Sequence, residues 1–279
     1  MCHPWENSLV INQFEGLDGF EVSRCCILKS KKISKEQFFE SSLNDVGRFA
    51  KPESFIQDDL SLCAHDCNFL EDISKVHLNI IHNCNLRCYH CCAGFDKNDP
   101  RLCFGLNKSL EYHQQKKESF FQVLNYLKNY PLKIISMDGS GEIFLYYKDL
   151  IHYLLSVRSH NVEEICFLTN GTLLTEEKII TLSKISEKTK IKYSFDLSID
   201  GVTKESFESI RHGAKFEQII ETAYLLKNYF DTQINFTIKK PNISDIDKVA
   251  DFFKDFRLFW SYDYYDPECA KYLKNKWGE

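Results

Sequence analysis

From residue 76 onward the chain alternates between two hydrophobic rhythms. Short runs rich in β-branched and aromatic residues, "VHLNII" (76–81), "LKIISM" (132–137), "EICFLT" (164–169), "IKYSFDLSI" (191–199), "QINFTIK" (233–239) and "RLFWSY" (257–262), have the composition of strands. Between them lie "KKESFFQVLNYLKNY", "YKDLIHYLLSVRSH", "TEEKIITLSKISEK", "KFEQIIETAYLLKNYF" and "ISDIDKVADFFKDF". Each repeats apolar residues three and four positions apart, as a helix does when it buries one face on a sheet. Six strands joined by five crossover helices predict an α/β fold with a parallel sheet and right-handed connections. An open doubly wound sheet and a partial barrel both satisfy this pattern. In either, the working site lies beyond the C-terminal strand ends.

Residues 1–75 read differently. They are polar and short of periodic helices, with "GLDG" as a turn between "SLVINQF" and "FEVSRCCIL". The expected division is a small hairpin-based unit at 1–75 and an α/β domain at 76–279, with no internal repeat. At 279 residues the chain is long enough for one large core plus an appendage. A net charge of −5 provides no basic stripe, which disfavours a duplex nucleic-acid partner and leaves small molecules or a peptide. "MCHPWENSLV" has no signal-peptide pattern and no run approaches a membrane span, so no membrane partner and a cytoplasmic location are expected.

Twelve cysteines in a reduced compartment call for metal or redox chemistry. "CNLRCYHC" (84–91) follows the first strand directly and places Cys84, Cys88 and Cys91 where a barrel builds its site. Three thiolates can hold three irons of a cubane and leave the fourth open, just as a catalytic zinc keeps a position its structural counterpart fills. The competing reading is a zinc knuckle that takes a fourth ligand from His90, Cys92 or Cys103.

With CxxxCxxC after the first strand, the chain resembles the radical S-adenosylmethionine (radical SAM) superfamily over about residues 76–262. The resemblance implies a partial (β/α)6 TIM-like barrel and a [4Fe-4S] cluster on Cys84, Cys88 and Cys91. It also implies S-adenosylmethionine chelated to the free iron and cleaved reductively to a 5′-deoxyadenosyl radical that abstracts a substrate hydrogen. His90 would then contact adenine. "DGSGEIF" (138–144) resembles the family's GGEP motif through Ser140, Gly141 and Glu142, with Ile143 in place of the proline. There glycine permits close backbone approach, and the acid can accept from the methionine ammonium. "LTNGTLL" (168–174), "LSIDG" (197–201) and "ESIRHGAKFEQI" (208–219) resemble the ribose-side and substrate-side segments. They add Asn170, Ser198, Asp200 and Arg211 as cofactor contacts, although Asn170–Gly171 also reads as a plain turn.

"CHPW" (2–5), "RCC" (24–26) and "CAHDC" (63–67) resemble the auxiliary-cluster module called twitch, a short form of the SPASM domain, here ahead of the barrel. That likeness implies a second [4Fe-4S] cluster on Cys2, Cys25, Cys63 and Cys67, with Cys26 as the alternative to Cys25. Without it, these residues form a zinc-binding or reduced-thiol unit. Cys166, inside an apolar run, reads as a buried small hydrophobe. Tyr262, Asp263 and Cys269 are the candidates for catalysis, the first two as substrate contacts and Cys269 as a thiol hydrogen donor.

The expected function is modification of a ribosomal peptide or protein side chain by hydrogen abstraction, with a reductase such as flavodoxin or ferredoxin supplying electrons. Oxidation or epimerisation of a sugar or other small metabolite is the alternative. A non-enzymatic iron-sulfur scaffold for electron transfer is a third reading.

Overall fold

A computed structural model describes residues 8–13, 18–24, 30–50, 72–89, 91, 108–137 and 141–262. In chain order the elements are β1 (Ser8–Asn12), β2 (Gly19–Ser23), β3 (Lys31–Ser34), α1 (Lys35–Glu40), α2 (Leu43–Phe49), β4 (Lys75–Asn79), β5 (Arg87–Cys88) and α3 (Leu110–Leu127). They continue with β6 (Leu132–Met137), α4 (Tyr147–Ser156), β7 (Val162–Thr169), α5 (Glu176–Thr189), β8 (Lys192–Ser198) and α6 (Lys204–Ile210). The last are β9 (Arg211–His212), α7 (Phe216–Lys227), β10 (Asp231–Ile238), α8 (Ile246–Phe252) and β11 (Arg257–Tyr262).

Nine strands form one sheet in the order β11-β10-β8-β7-β6-β4-β1-β2-β3. The six expected strands are β4, β6, β7, β8, β10 and β11; they lie in chain order and every neighbouring pair is parallel. Doubly wound sheets reverse strand order at a switch point, whereas barrels wind in one direction. The unbroken order therefore decides for the TIM-like partial barrel.

Strand alternation gives the sheet two unlike faces. Val76, Leu78, Ile135, Ile165, Phe167, Tyr193, Phe195, Leu197, Ile234 and Phe236 are all buried in one core with Val123, Leu127, Leu154, Leu182, Ala223 and Leu226 of the helices. Phe167 and Phe195 pack with ring centroids 5.1 Å apart, and Phe195 and Phe230 at 4.9 Å. The opposite face is polar. Register sets His77, Ser136, Cys166 and Ser194 at one level, and Leu168, Asp196 and Gln233 at the next. Cys166 is thus half-buried among hydroxyls and not a core hydrophobe. An apolar run gives no parity, and parity is what sends Ile165 and Phe167 to the core and Cys166 to the other side.

The hairpin around "GLDG" is present as antiparallel β1 and β2. It is not set apart from the barrel, because β1 pairs in parallel with β4 from Ser8↔Lys75 to Asn12↔Asn79. Asn79 Nδ2 donates to Asn12 Oδ1 at 3.0 Å across the seam. Helices α1 and α2 were not expected from periodicity, but their start signals are local. Ser34 accepts from Gln37 N while Gln37 Oε1 accepts from Ser34 N, a capping box, and Ser42 caps α2. Among the described residues no helix is long and apolar enough to cross a membrane.

One buried lysine ties α3 to the end of β1. Lys116 is 1% exposed, its Nζ donates to Gln13 O, and it lies 5.3 Å from the Tyr112 ring centre. Burial, with Lys35 adding repulsion, pulls its pKa from 10.5 down to about 7. The unfolded chain therefore binds the extra proton between those values, and stability from this group rises with pH across that window. Thermal melts of Lys116→Met should be flatter than wild type between pH 7 and 10.5, with the largest relative stabilisation at the neutral end. Parallel profiles would refute the assignment.

Candidate functional site

The chain leaves β4 at the C-terminal end of the sheet and runs through Ile80 and Ile81, both buried, into the cysteine loop. Cys88 lies in β5, which pairs antiparallel with β9 so that Cys88 sits opposite Arg211. Tyr89 N donates to Ile210 O at 2.8 Å and Cys91 N to Cys88 O at 3.1 Å. The loop is therefore stitched to the segment after β8. Cys84 and Cys91 are half-buried, Cys88 is buried, and none of the three is in a disulfide.

Cys84 and Cys88 each have polar neighbours. Cys84 Sγ accepts from Leu86 N at 3.4 Å and from Asn170 Nδ2 at 3.6 Å, and Cys88 Sγ accepts from Arg211 Nη1 at 3.8 Å. Burial pushes the Cys84 thiol up to about 12; the Leu86 N–H opposes this, and Glu142, Cys91 and Cys88 add to it. Burial also raises Cys88, against the Arg211 charge. Among the described residues, no three His, Cys, Asp or Glu side chains converge on a point that one metal ion would occupy. The thiols nonetheless lie close enough to repel one another as anions. A cationic centre reverses that repulsion, and soft thiolates are the donors iron-sulfur clusters take. The donor set fits a cluster. His90, Cys92 and Cys103 lie outside the described residues.

Gly141 holds the loop from the β6 side. A Cβ there would meet Asn83 O at 2.4 Å and Ile81 O at 2.9 Å, and Glu142 N donates to Asn83 O at 2.8 Å. The close approach that glycine permits is thus to the chain's own backbone just ahead of Cys84. Glu142 is 1% exposed. Thr169 Oγ1 donates to both its carboxylate oxygens at 2.9 Å, Asn170 N to Oε2 at 2.9 Å and Phe144 N to Oε1 at 3.1 Å. Burial raises its pKa, and the Asn170 and Phe144 amides oppose the rise. A cofactor ammonium would share these oxygens with donors already in place. Ile143, where the motif has proline, opens a 3-10 turn (Ile143–Tyr146) and is 4% exposed, an apolar anchor at a position that would accept proline's fixed φ.

Asn170 follows β7, and Gly171 at φ 72° takes the left-handed turn expected of Asn-Gly. The turn serves the site as well. Asn170 Nδ2 also donates to Asn85 Oδ1 at 3.1 Å, its Oδ1 accepts from Thr172 N at 3.0 Å, and Asn85 Nδ2 donates to Thr172 Oγ1 at 2.8 Å. Asn85 and Thr172 had no signal beyond their place in the two loops. Ser198 is half-buried at the end of β8, opposite Asn235. Asp200 is 0% exposed; its Oδ2 accepts from Arg211 Nε and Nη2, both at 2.7 Å, and its Oδ1 accepts from Thr237 N at 2.7 Å. Asn242 Nδ2 donates to Asp200 O and Thr237 O, each at 2.9 Å.

The structure therefore brings Cys84, Cys88, Cys91, Gly141, Glu142, Asn170, Asp200 and Arg211 into linked networks at one end of the barrel. Cys2, Cys25, Cys26, Cys63, Cys67, Ser140, Asp263 and Cys269 lie outside the described residues, as does the Tyr262 side chain.

A family model described as the radical SAM superfamily matches residues 78–253. Among solved structures, the chain is 22% identical to native anSMEcpe with bound AdoMet and Kp18Cys peptide, covering 67% of this chain and 51% of that one at a TM-score of 0.47. It is 14% identical to Streptococcus suis SuiB, covering 94% and 62% with a TM-score of 0.49. For SuiB bound to precursor peptide SuiA the values are 16% identity, 92% and 62% coverage, and 0.48. The chain thus spans between 51% and 62% of the length of these three solved chains. No curated protein sequence matches it. The cysteine loop stands at the end of the first barrel strand, and the family match runs from within β4 to the end of α8, more than half of the chain; this protein belongs to the radical SAM superfamily of enzymes, which use a [4Fe-4S] cluster and S-adenosylmethionine.

Proposed function

We propose that this enzyme abstracts a hydrogen from a side chain of a ribosomal peptide or protein and so begins its modification. When bound, the cluster and S-adenosylmethionine supply a one-electron reductive cleavage to a 5′-deoxyadenosyl radical. Cys84, Cys88 and Cys91 hold the cluster. Gly141, Glu142 and Asn170 keep the surrounding loops in register, and Ser198 and His90 are positioned in sequence to contact the cofactor. The protein's own work is to orient and shield a reactive species.

The observation that carries the peptide reading is the polar barrel face. Asn12, Asn79, Ser136, Asp196, Ser198, Gln233, Asn235 and Thr237 spread amides, hydroxyls and a carboxylate over five strands. A lining that both donates and accepts over such a width suits a chain with repeated amides better than one compact metabolite. Tyr262 and Asp263, at and just beyond the end of β11, are proposed substrate contacts, and Cys269 a hydrogen donor.

The second cluster, on Cys2, Cys25 or Cys26, Cys63 and Cys67, belongs to the same proposal. The described chain enters β1 at Ser8, leaves β2 after Ser23 and enters β4 at Lys75; these three ends share one side of the sheet, opposite the cysteine loop. That supports a common site for the segments flanking them. A low-potential reductase such as flavodoxin or ferredoxin is the proposed electron donor.

Anaerobic iron and sulfide counts, with release of 5′-deoxyadenosine under dithionite, test the first step. About four irons per chain support the first cluster alone and about eight support both. Binding of S-adenosylmethionine with no deoxyadenosine release would leave an electron-transfer scaffold. For the substrate, short peptides encoded beside the gene should change mass on incubation. A change confined to sugar nucleotides would replace the peptide reading.

A further inference from the structure

Arg211 is expected to contact the cofactor, yet its bonds run elsewhere. Its backbone is paired with that of Cys88, its Nη1 lies 3.8 Å from Cys88 Sγ, and both Nε and Nη2 hold Asp200 Oδ2. The arginine side chain is 10% exposed and Asp200 is 0% exposed. Asp200 is fixed in turn by Thr237 N and, through its carbonyl, by Asn242. Asn170 repeats the arrangement at Cys84, with Nδ2 3.6 Å from Sγ and its amide oriented by Asn85 and Thr172. Two of the three cysteine sulfurs therefore each face one side-chain N–H donor, and each donor is itself oriented by further hydrogen bonds.

Resting on the radical SAM reading above, we propose that Arg211, aimed by Asp200, and Asn170 are positioning residues that set the reduction potential of the cluster held by Cys84, Cys88 and Cys91. Reduction adds one electron and makes the cubane and its thiolates more negative. An N–H directed at a ligating sulfur stabilises the reduced state more than the oxidised one, and a fixed positive charge acts in the same direction. Asp200 offsets part of that charge while holding the guanidinium at the sulfur. The fork matters because an ammonium cannot serve Asp200 with two N–H groups and still present a third to Cys88 in the same plane.

The test is a redox titration of the full chain with dithionite and mediators, read by electron paramagnetic resonance with iron counts and thermal melts alongside. Arg211→Gln should lower the equilibrium constant for reduction about tenfold, a fall of about 59 mV for a one-electron couple. Arg211→Lys and Asn170→Leu should shift it the same way by less, with iron at the wild-type level. If Arg211→Gln loses its fold, the other two carry the test, since one keeps the charge and the other leaves the ion pair intact. Unchanged midpoints in iron-replete variants would overturn the inference. Loss of iron from all three variants would also overturn it, by making these side chains supports of the loop alone. A wild type with no reducible cluster responsive to S-adenosylmethionine would instead refute the underlying reading.

Discussion

Replacing Cys84, Cys88 and Cys91 together with alanine is expected to remove about four irons per chain and to reduce 5′-deoxyadenosine release to background. Losing a partner of a metal ligand typically costs ~10–100-fold in affinity or activity, and losing the ligands themselves removes the site. The fold should persist, because two of the thiols are only half-buried and the third gives up little volume on truncation. Cys88→Ala alone should be nearly as severe. It deletes an iron anchor and takes the sulfur from Arg211 Nη1, although the backbone pairing of Cys88 with Arg211 remains. Iron analysis and deoxyadenosine quantification check both variants. An iron count in the triple variant equal to that of wild type would locate the cluster elsewhere.

Gly141→Ala should be strongly damaging although it removes no functional group. The added methyl meets Asn83 O at 2.4 Å and Ile81 O at 2.9 Å, which are backbone atoms with no rotamer to escape into. Relief requires moving the segment just before Cys84, or breaking the Glu142 N bond to Asn83 O. Overpacking of this kind costs about 1–3 kcal/mol, which lowers the melting temperature by roughly 2–12 °C in a chain of this size class. The larger effect is on loading, since a displaced Cys84 disturbs the cluster even in a folded protein. A variant with wild-type iron and melting temperature would mean that the loop yields to the methyl.

Much of the barrel was legible because alternating rhythms are local. Six strand runs and five helical runs all became the elements they predicted. The winding was not legible, since doubly wound sheets and barrels share the same alternation and differ only in which strands become neighbours. Parity within a strand was hidden for a similar reason. Nothing in "EICFLT" says that Cys166 takes the polar face until Ile165 and Phe167 are seen to pack inward. Helices α1 and α2 carried a legible signal, Ser34 and Gln37 at capping-box spacing, in a stretch too short for periodicity to register.

At the site, residue types were easier to foresee than their partners. Cys88 and Arg211 are 123 positions apart, and Glu142 and Thr169 are 27 apart; each pair meets only through the fold. The sequence pattern marks Glu142 as an acid beside a glycine. That its oxygens are also occupied by Thr169 and Asn170 is a tertiary fact, whereas the Phe144 amide is a local cap two residues on.

The parallel pairing of β1 with β4 changes what kind of strand carries the cysteine loop. With β1 on one side and β6 on the other, β4 is an interior strand, paired with β1 along all of residues 75–79 and with β6 along residues 75–77. In a shortened chain lacking β1, the same five residues would become a free parallel edge, the template on which sheets recruit other chains. The N-terminal strand therefore removes a pairing edge from the strand that leads into the cysteine loop, and a chain cut before β4 is expected to self-associate more than the full chain.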